Sequence, residues 1–369
     1  MTNYLIRADA SIRQGTGHVM RCLTLAEGLR RGGGQVAFAC RDVPGNLCGH
    51  IEDKGFKLFR LAGTAGDETL GSWHLDAEQM QPILNSGASY DWLVVDHYEL
   101  DSRWESAMRP YVGRVMAIDD LADRPHDCDV LLDQNYYKAL EVRYDDLVPE
   151  HCLKLLGPAN ALLRAEFLAA RRQLRQRDGS VSRVLVFLGG SDSENITSRV
   201  IEAITLTRRH EIALDVVIGS TNPHREQIAA QCVLRGNATL HVQTGNMAEL
   251  MASADLSIGA GGATTWERCY LGLPTLTVVF AANQERTTTD LADIGVIRYL
   301  GWADKLCSAD LVAAIRYAIS HPAENAEMGS RAMKLMKDLS QSQYLPAVDT
   351  ILQQPELNST CNPNLPVVQ

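Results

Sequence analysis

The sequence predicts an α/β protein built from two doubly wound parallel-sheet domains. Two observations carry that reading. Short apolar runs alternate with amphipathic helical stretches twice over, the signature of strand–helix–strand units. Glycine-rich turns stand directly after several of those runs, where a strand of a parallel sheet hands over to a helix. At 369 residues the chain is long enough for two separate cores.

The first set of strands is read at residues 4–7, 35–40, 57–61, 92–96, 114–119 and 130–133, and the second at 183–188, 213–218, 239–242, 256–258 and 275–279. Between the sets, a segment with Gly157-Pro158 and a basic helical run ending near Arg177 reads as a linker with enough apolar residues to be packed. The resulting division is 1–157 as an N-terminal catalytic domain, 158–182 as packed linker, 183–355 as a nucleotide-binding domain, and 356–369 as a disordered tail rich in Pro, Asn and Val. Two doubly wound domains facing each other place a ligand in a cleft at the carboxyl ends of their strands.

Composition narrows the function. Hydrophobic content of 46% with 22% charged residues describes an ordinary globular protein, and a net charge of −10 with 6% aromatics argues against a nucleic-acid surface. No apolar run approaches membrane-spanning length, so no membrane insertion is expected. Nine scattered cysteines without a C-x-x-C pair read as reduced thiols in a cytoplasmic protein without a secretory signal. Neither a metal nor another cofactor is expected. Asp127-Cys128-Asp129 imitates a metal-binding Asp-x-Asp but precedes a strand instead of ending one, and is assigned a structural role.

Three turns carry the chemistry. In the first, the strand at residues 4–7 runs into Arg13-Gln14-Gly15-Thr16-Gly17-His18, and a helix follows with Val19, Leu23, Ala26 and Leu29 at helical spacing. Such a turn aims free backbone N–H groups and a positive dipole end at an anion. The imidazole of His18 on its first turn can exchange a proton beside that anion, or can merely cap the helix. Arg13, Arg21 and Arg164 are the nearest basic residues, with surface solvation foreseen for at least one.

The second turn, Gly189-Gly190-Ser191-Asp192-Ser193, lets backbone approach a phosphate while Ser191 or Ser193 caps the next helix. The third runs from Ile258 through Gly261, Gly262 and Thr264 to Glu267, with Gly272-Leu273-Pro274 beyond. Glu267 lies one to two turns into its helix, where a carboxylate can accept two ribose hydroxyls.

The third turn resembles the nucleotide half of the UDP-N-acetylglucosamine transferase of peptidoglycan synthesis, a GT-B enzyme. The N-terminal motif through Gly15, Gly17, His18 and Arg21 is more similar to the UDP-2,4-diacetamido-2,4,6-trideoxy-β-L-altropyranose hydrolase family of pseudaminic acid synthesis. Further matches are Val94 to Leu100, Gly157-Pro158 with Ala161 to Arg164, Gly189 to Asp192, and Ala282-Asn283-Gln284, so the resemblance spans residues 4 to 290. It implies a GT-B fold and metal-free release of UDP and free sugar from a UDP-sugar. The catalytic histidine of the family falls on His18, and its pocket residues fall on Tyr98 and on Asn283 with Gln284 beside it. Asn160 stands where an aromatic residue would be expected in that family, which bears on local sugar contacts rather than on the reaction.

Diphosphate is already a good leaving group, so the general acid of a two-carboxylate glycosidase is dispensable. What remains is a base for water, which suits His18, and N–H groups for the departing charge. Asp96 and His97 could orient Tyr98 or simply cap the next helix. A nonulosonic-acid hydrolase feeding a bacterial surface glycan is the reading that follows. A glycosyltransferase on the same donor, a UDP-sugar 2-epimerase and a catalytically silent UDP-sugar binder remain alternatives, and the sequence sets no oligomeric state.

Overall fold

The computed structural model describes residues 1–12, 14–63, 72–87, 89–190 and 192–354. It forms two compact units. Unit 1 comprises Met1–Asp133, Glu141–Leu156 and the chain from Tyr344 onward, and unit 2 comprises Gln134–Leu140 with Gly157–Gln343. Among the described residues, no helix is long and apolar enough to cross a membrane.

Unit 1 alternates β1 (Asn3–Ala8), α1 (Gly17–Arg31), β2 (Gln35–Asp42), α2 (Cys48–Asp53), β3 (Lys57–Ala62), α3 (Trp73–Leu84), β4 (Tyr90–Asp96) and α4 (Ser102–Met108), then adds β5 (Val112–Ile118), β6 (Val130–Asp133) and β7 (Leu153–Leu156). Its strands pair in parallel in the order β3-β2-β1-β4-β5-β6-β7. Leu5, Leu93, Val115 and Leu131 pack on one face of this sheet against Met80, Trp104 and Met108.

Unit 2 opens with α5 (Ala165–Arg172) and continues through β8 (Arg183–Phe187), α6 (Ile196–Leu206), β9 (Ala213–Ile218), α7 (Arg225–Arg235), β10 (Ala238–Val242), α8 (Met247–Ser253), β11 (Leu256–Ala260), α9 (Thr264–Tyr270), β12 (Thr275–Val279), α10 (Ala282–Asp293), β13 (Arg298–Trp302), α11 (Ser308–Ser320) and α12 (Pro322–Leu335). The parallel order is β10-β9-β8-β11-β12-β13. Every residue of β11 and β12 is buried, as central strands covered on both faces must be.

Each order reverses direction once, between β1 and β4 and between β8 and β11, and a doubly wound sheet binds ligands at the carboxyl ends of those strands. The first two glycine turns follow β1 and β8, and the third follows β11.

Sequence reasoning overlooked β7 and β13. Both are edge strands; β7 has only four residues and none fully buried, and β13 is half-buried throughout and broken by Gly301 at φ 112°. The units also divide the chain differently from the sequence-based boundaries. The helix α13 (Pro346–Gln353) belongs to unit 1, where it lies against α1. A Cβ on Gly28 would stand 2.6 Å from a Val348 methyl, and one on Gly32 equally close to Leu352, so these two glycines clear the groove. Arg114 Nη1 adds a 2.6 Å hydrogen bond to Gln354.

Residues 158–182 are part of unit 2, because their arginines cap its helices. Arg177 donates to the carbonyls of Met251 and Ala254 (2.8 Å each) and Leu271 (2.6 Å), and Arg171 to that of Tyr270, all at the carboxyl ends of α8 and α9. Helix carboxyl ends, with unpaired carbonyls and negative dipole, are where guanidinium groups bind well. The proposed tail lies outside the described residues.

Candidate active site

In unit 1 the chain leaves β1 and folds into a tight turn. Gly15 N donates to Ser11 O at 2.9 Å, and Gln14 N to Ser11 Oγ at 3.0 Å. Gly15 sits at φ 77°, a conformation that costs side-chain-bearing residues, and a Cβ at Gly15 or Gly17 would meet nothing within 4 Å. Thr16 makes no side-chain cap, so no side chain of that residue covers the first-turn amides of α1. Arg13 lies outside the described residues.

His18 and Arg21, one turn apart on α1, converge on Asp96 at the end of β4. The His18 Nδ1–Asp96 Oδ1 distance is 2.5 Å; Arg21 donates through Nε to Oδ2 (2.6 Å) and through Nη2 to Oδ1 (2.7 Å). Cys22 Sγ adds a contact to Oδ2 at 3.5 Å, and Arg21 Nη1 reaches Asp120 at 3.1 Å. His18, Arg21 and Asp96 are all buried. Burial alone would push the Asp96 carboxyl up, but Arg21 and His18 hold it far below the ordinary carboxylate range. Asp96 is therefore an anion that accepts a hydrogen bond from Nδ1–H of His18, leaving Nε2 as the nitrogen able to accept a proton.

Tyr98, two residues beyond Asp96, meets the His18 ring edge-on with centroids 4.5 Å apart. The structure thus brings Gly15, Gly17, His18 and Tyr98 together and adds Asp96, Arg21 and Asp120. Of the three basic residues singled out near the cleft, Arg21 is a buried ion-pair partner. Neither Asp96 nor His97 caps the following helix, because Asp101 does so by accepting from Arg103 N at 2.9 Å. Asp127 and Asp129 bind Arg109 at 2.8 and 3.0 Å, a structural assignment.

In unit 2, Gly189 (φ 98°) and Gly190 form an open turn where a Cβ would meet nothing within 4 Å. Ser191 lies outside the described residues. Asp192 caps α6: it accepts from Ile196 N (3.0 Å) and Thr197 N (2.8 Å), and its burial raises its carboxyl above the ordinary value. Each of its two carboxylate oxygens takes one of these amides.

The turn after β11 is held by Arg268, a wholly buried guanidinium that sequence reasoning did not single out. It donates to Ala260 O (2.7 Å), Thr264 Oγ1 (3.1 Å) and Thr265 Oγ1 (3.0 Å), and desolvation lowers it to about 10. A Cβ on Gly259 would come within 2.6 Å of this group, and one on Gly261 within 2.5 Å of Thr288 Oγ1. Gln284 lies beside Gly261 and Gly262, and its Oε1 accepts from Phe280 N at 3.0 Å. Asn283 occupies the first turn of the same helix, α10.

Glu267 is buried on α9. Its Oε1 accepts from Arg164 Nε at 2.8 Å, while Oε2 is buried and takes no hydrogen bond among the described residues. Burial raises its carboxyl above the ordinary value against the pull of Arg164. A buried carboxylate oxygen without a partner is costly, so this one suits a ligand hydroxyl. Neighbouring Trp266 donates to Asn135 at 3.2 Å, tying the segment Gln134–Leu140 to α9. Among the described residues, no three His, Cys, Asp or Glu side chains are grouped to hold a metal ion.

Residues 184–343 match the glycosyltransferase family 28 C-terminal domain. The chain is 26% identical over 294 residues to the UDP-2,4-diacetamido-2,4,6-trideoxy-beta-L-altropyranose hydrolase of Campylobacter jejuni, covering 79% of this chain and 96% of that protein. It is 29% identical over 157 residues to the spore coat polysaccharide biosynthesis protein SpsG of Bacillus subtilis, covering 42% of this chain and 46% of that one. Among solved structures it resembles Acinetobacter baumannii MurG with a TM-score of 0.63 at 16% identity, over 96% of this chain and 100% of that chain. The resemblance drawn from the motifs therefore holds along most of the chain, and the fold is of the GT-B type.

Proposed function

We propose that this chain is a nucleotide-sugar-processing enzyme, and more narrowly a UDP-sugar hydrolase of pseudaminic acid synthesis in the cytoplasm. It would release UDP and free 2,4-diacetamido-2,4,6-trideoxy sugar. The observation that carries the reading is the His18–Asp96 pair at the carboxyl end of β4, beside an open glycine turn. The hydrolase relative from Campylobacter jejuni, similar over 79% of this chain, supports the choice of substrate.

Asp96 fixes the ring of His18 through Nδ1, so that Nε2 takes a proton from water as it attacks the anomeric carbon. The bond to the diphosphate breaks as the new C–O bond forms, and the electron pair leaves with UDP. First-turn amides and glycine turns absorb that charge. Asp96 is saturated by Arg21 and His18 and is unsuited to act as a nucleophile, which favours a single displacement with inversion. In unit 2, Glu267 Oε2 suits a ribose hydroxyl, Gly189, Gly190, Ser191, Gly261, Gly262 and Thr264 suit the nucleotide phosphates and backbone approach, and Asn283 and Gln284 suit the sugar.

The match of residues 184–343 to a glycosyltransferase domain favours a second reading, in which an acceptor hydroxyl replaces water. Turnover of a UDP-sugar panel, read for UDP and reducing sugar with no acceptor added, separates the two. Equal release of both products supports the hydrolase. Release that depends on an added acceptor supports the transferase.

A further inference from the structure

Three consecutive residues leave β4 and point alternately. Asp96 and Tyr98 both meet His18, while His97 between them turns to the opposite side of the sheet. There its Nε2 lies 3.4 Å from Asp9 Oδ2, and its Nδ1 accepts from Glu99 N at 3.1 Å, which places the ring proton on Nε2 toward the carboxylate.

Asp9 belongs to a buried, charge-balanced cluster of two arginines and two aspartates. Arg7 grips both its oxygens at 2.6 and 2.7 Å, and Arg41 N donates to Oδ1 at 2.7 Å. Arg7 and Arg41 also bind Asp76 on α3 at 2.6 and 2.7 Å, and Trp104 Nε1 on α4 closes the set at 3.0 Å. The cluster therefore joins β1, β2, α3 and α4, and Asp9 is the residue that starts the turn leading to His18. Register places Ala8 beside Asp96, so Asp9 and His97 each stand one residue past a paired position.

We propose that His97 is a positioning residue: anchored on Asp9, it sets the direction of the Asp96–Tyr98 turn and thereby the placement of the His18 ring. The inference rests on the assignment of His18 as the base. The ring of His97 faces Asp9, away from His18. Arg124 Nη2 also holds the His97 carbonyl, at 3.0 Å, so loss of the imidazole loosens the turn without releasing it.

The test uses the full chain with His97→Phe, which keeps a ring and loses both nitrogens, and His97→Gln, which keeps a donor and an acceptor. If the phenylalanine variant does not fold, His97→Ala takes its place with the same expectations. The apolar variant should lose about 10–100-fold in kcat, the scale of a small misplacement of a catalytic group, with KM and UDP affinity unchanged within about twofold. The glutamine variant should recover most of that loss. The Nδ1 proton signal of His18, followed by NMR in ¹⁵N-labelled protein, should shift or broaden in the apolar variant and return in His97→Gln. If the wild-type protein hydrolyses no UDP-sugar, the functional reading fails while the NMR arm still decides this inference. An apolar variant with an unmoved His18 signal, or with its loss confined to KM, overturns it.

Discussion

Asp96, at the end of β4 in unit 1, and Glu267, on α9 in unit 2, are both buried carboxylates, yet they are held in opposite ways. Asp96 has both oxygens occupied by Arg21, and one also by His18. Glu267 has one oxygen on Arg164 and the other without a partner among the described residues. Their protonation follows suit: Asp96 is driven far down by its partners, whereas burial lifts Glu267. The difference separates two jobs. A saturated carboxylate can only hold its neighbours in place, and a half-filled one has room for a ligand.

The largest effect is expected at the saturated site. Asp96→Asn leaves Arg21 with Asp120 as its one remaining carboxylate among the described residues, which costs up to about 3–5 kcal/mol of stability, and frees the orientation of His18, costing about 10²–10⁴ in kcat. Denaturation and turnover measured together check it; a variant that folds and turns over normally would show that Asp96 holds nothing. His18→Asn should lose about 10²–10⁴ in turnover, with stability and UDP affinity largely retained because the asparagine amide can still donate to Asp96. Turnover near the wild-type rate would leave His18 a structural partner of Asp96 and move the base elsewhere.

A third buried set in unit 1 sharpens the point about saturation. His126 lies between Glu105 (2.7 Å) and Asp119 (3.8 Å), and although burial opposes the charge, the two carboxylates raise its imidazole to about 9. Its folded value exceeds the unfolded one of about 6.5, so its stabilisation is complete below pH 6.5 and is lost as pH rises through 9. The span corresponds to about 3 kcal/mol. Chemical denaturation of unit 1 from pH 6 to 10 should show that fall in the wild type and a flatter curve in His126→Gln. Identical curves would contradict it.

The smallest effect belongs to the half-filled carboxylate. Glu267→Gln should weaken UDP binding by about 10–100-fold, equivalent to about 1–3 kcal/mol, with kcat little changed. A fall in kcat at unchanged UDP affinity would move Glu267 into the chemistry and erase the contrast with Asp96.

What the sequence made legible was local. The turns carrying Gly15, Gly17 and His18, Gly189 and Gly190, and Gly261 to Glu267 stand out because glycine spacing and helix onset are written within a few residues. The His18–Asp96 pair spans 78 positions and the Arg7–Asp76 pair 69, and no periodicity reports such distances. Asp192 was hidden beside two serines that cap equally well on paper. The return of α13 to unit 1 rests on Gly28 in α1 and Gly32 just beyond it, whose missing side chains carry no signal of their own. The edge strands β7 and β13 lack the apolar runs that betray a central strand.

The central claim is that His18 delivers water to the anomeric carbon. Turnover of the UDP-sugar in ¹⁸O-water with chelator present tests it most directly. The account predicts continued activity, label in the released sugar with inverted configuration, and none in UDP. Label appearing in UDP would show that phosphorus is the atom attacked and would contradict it.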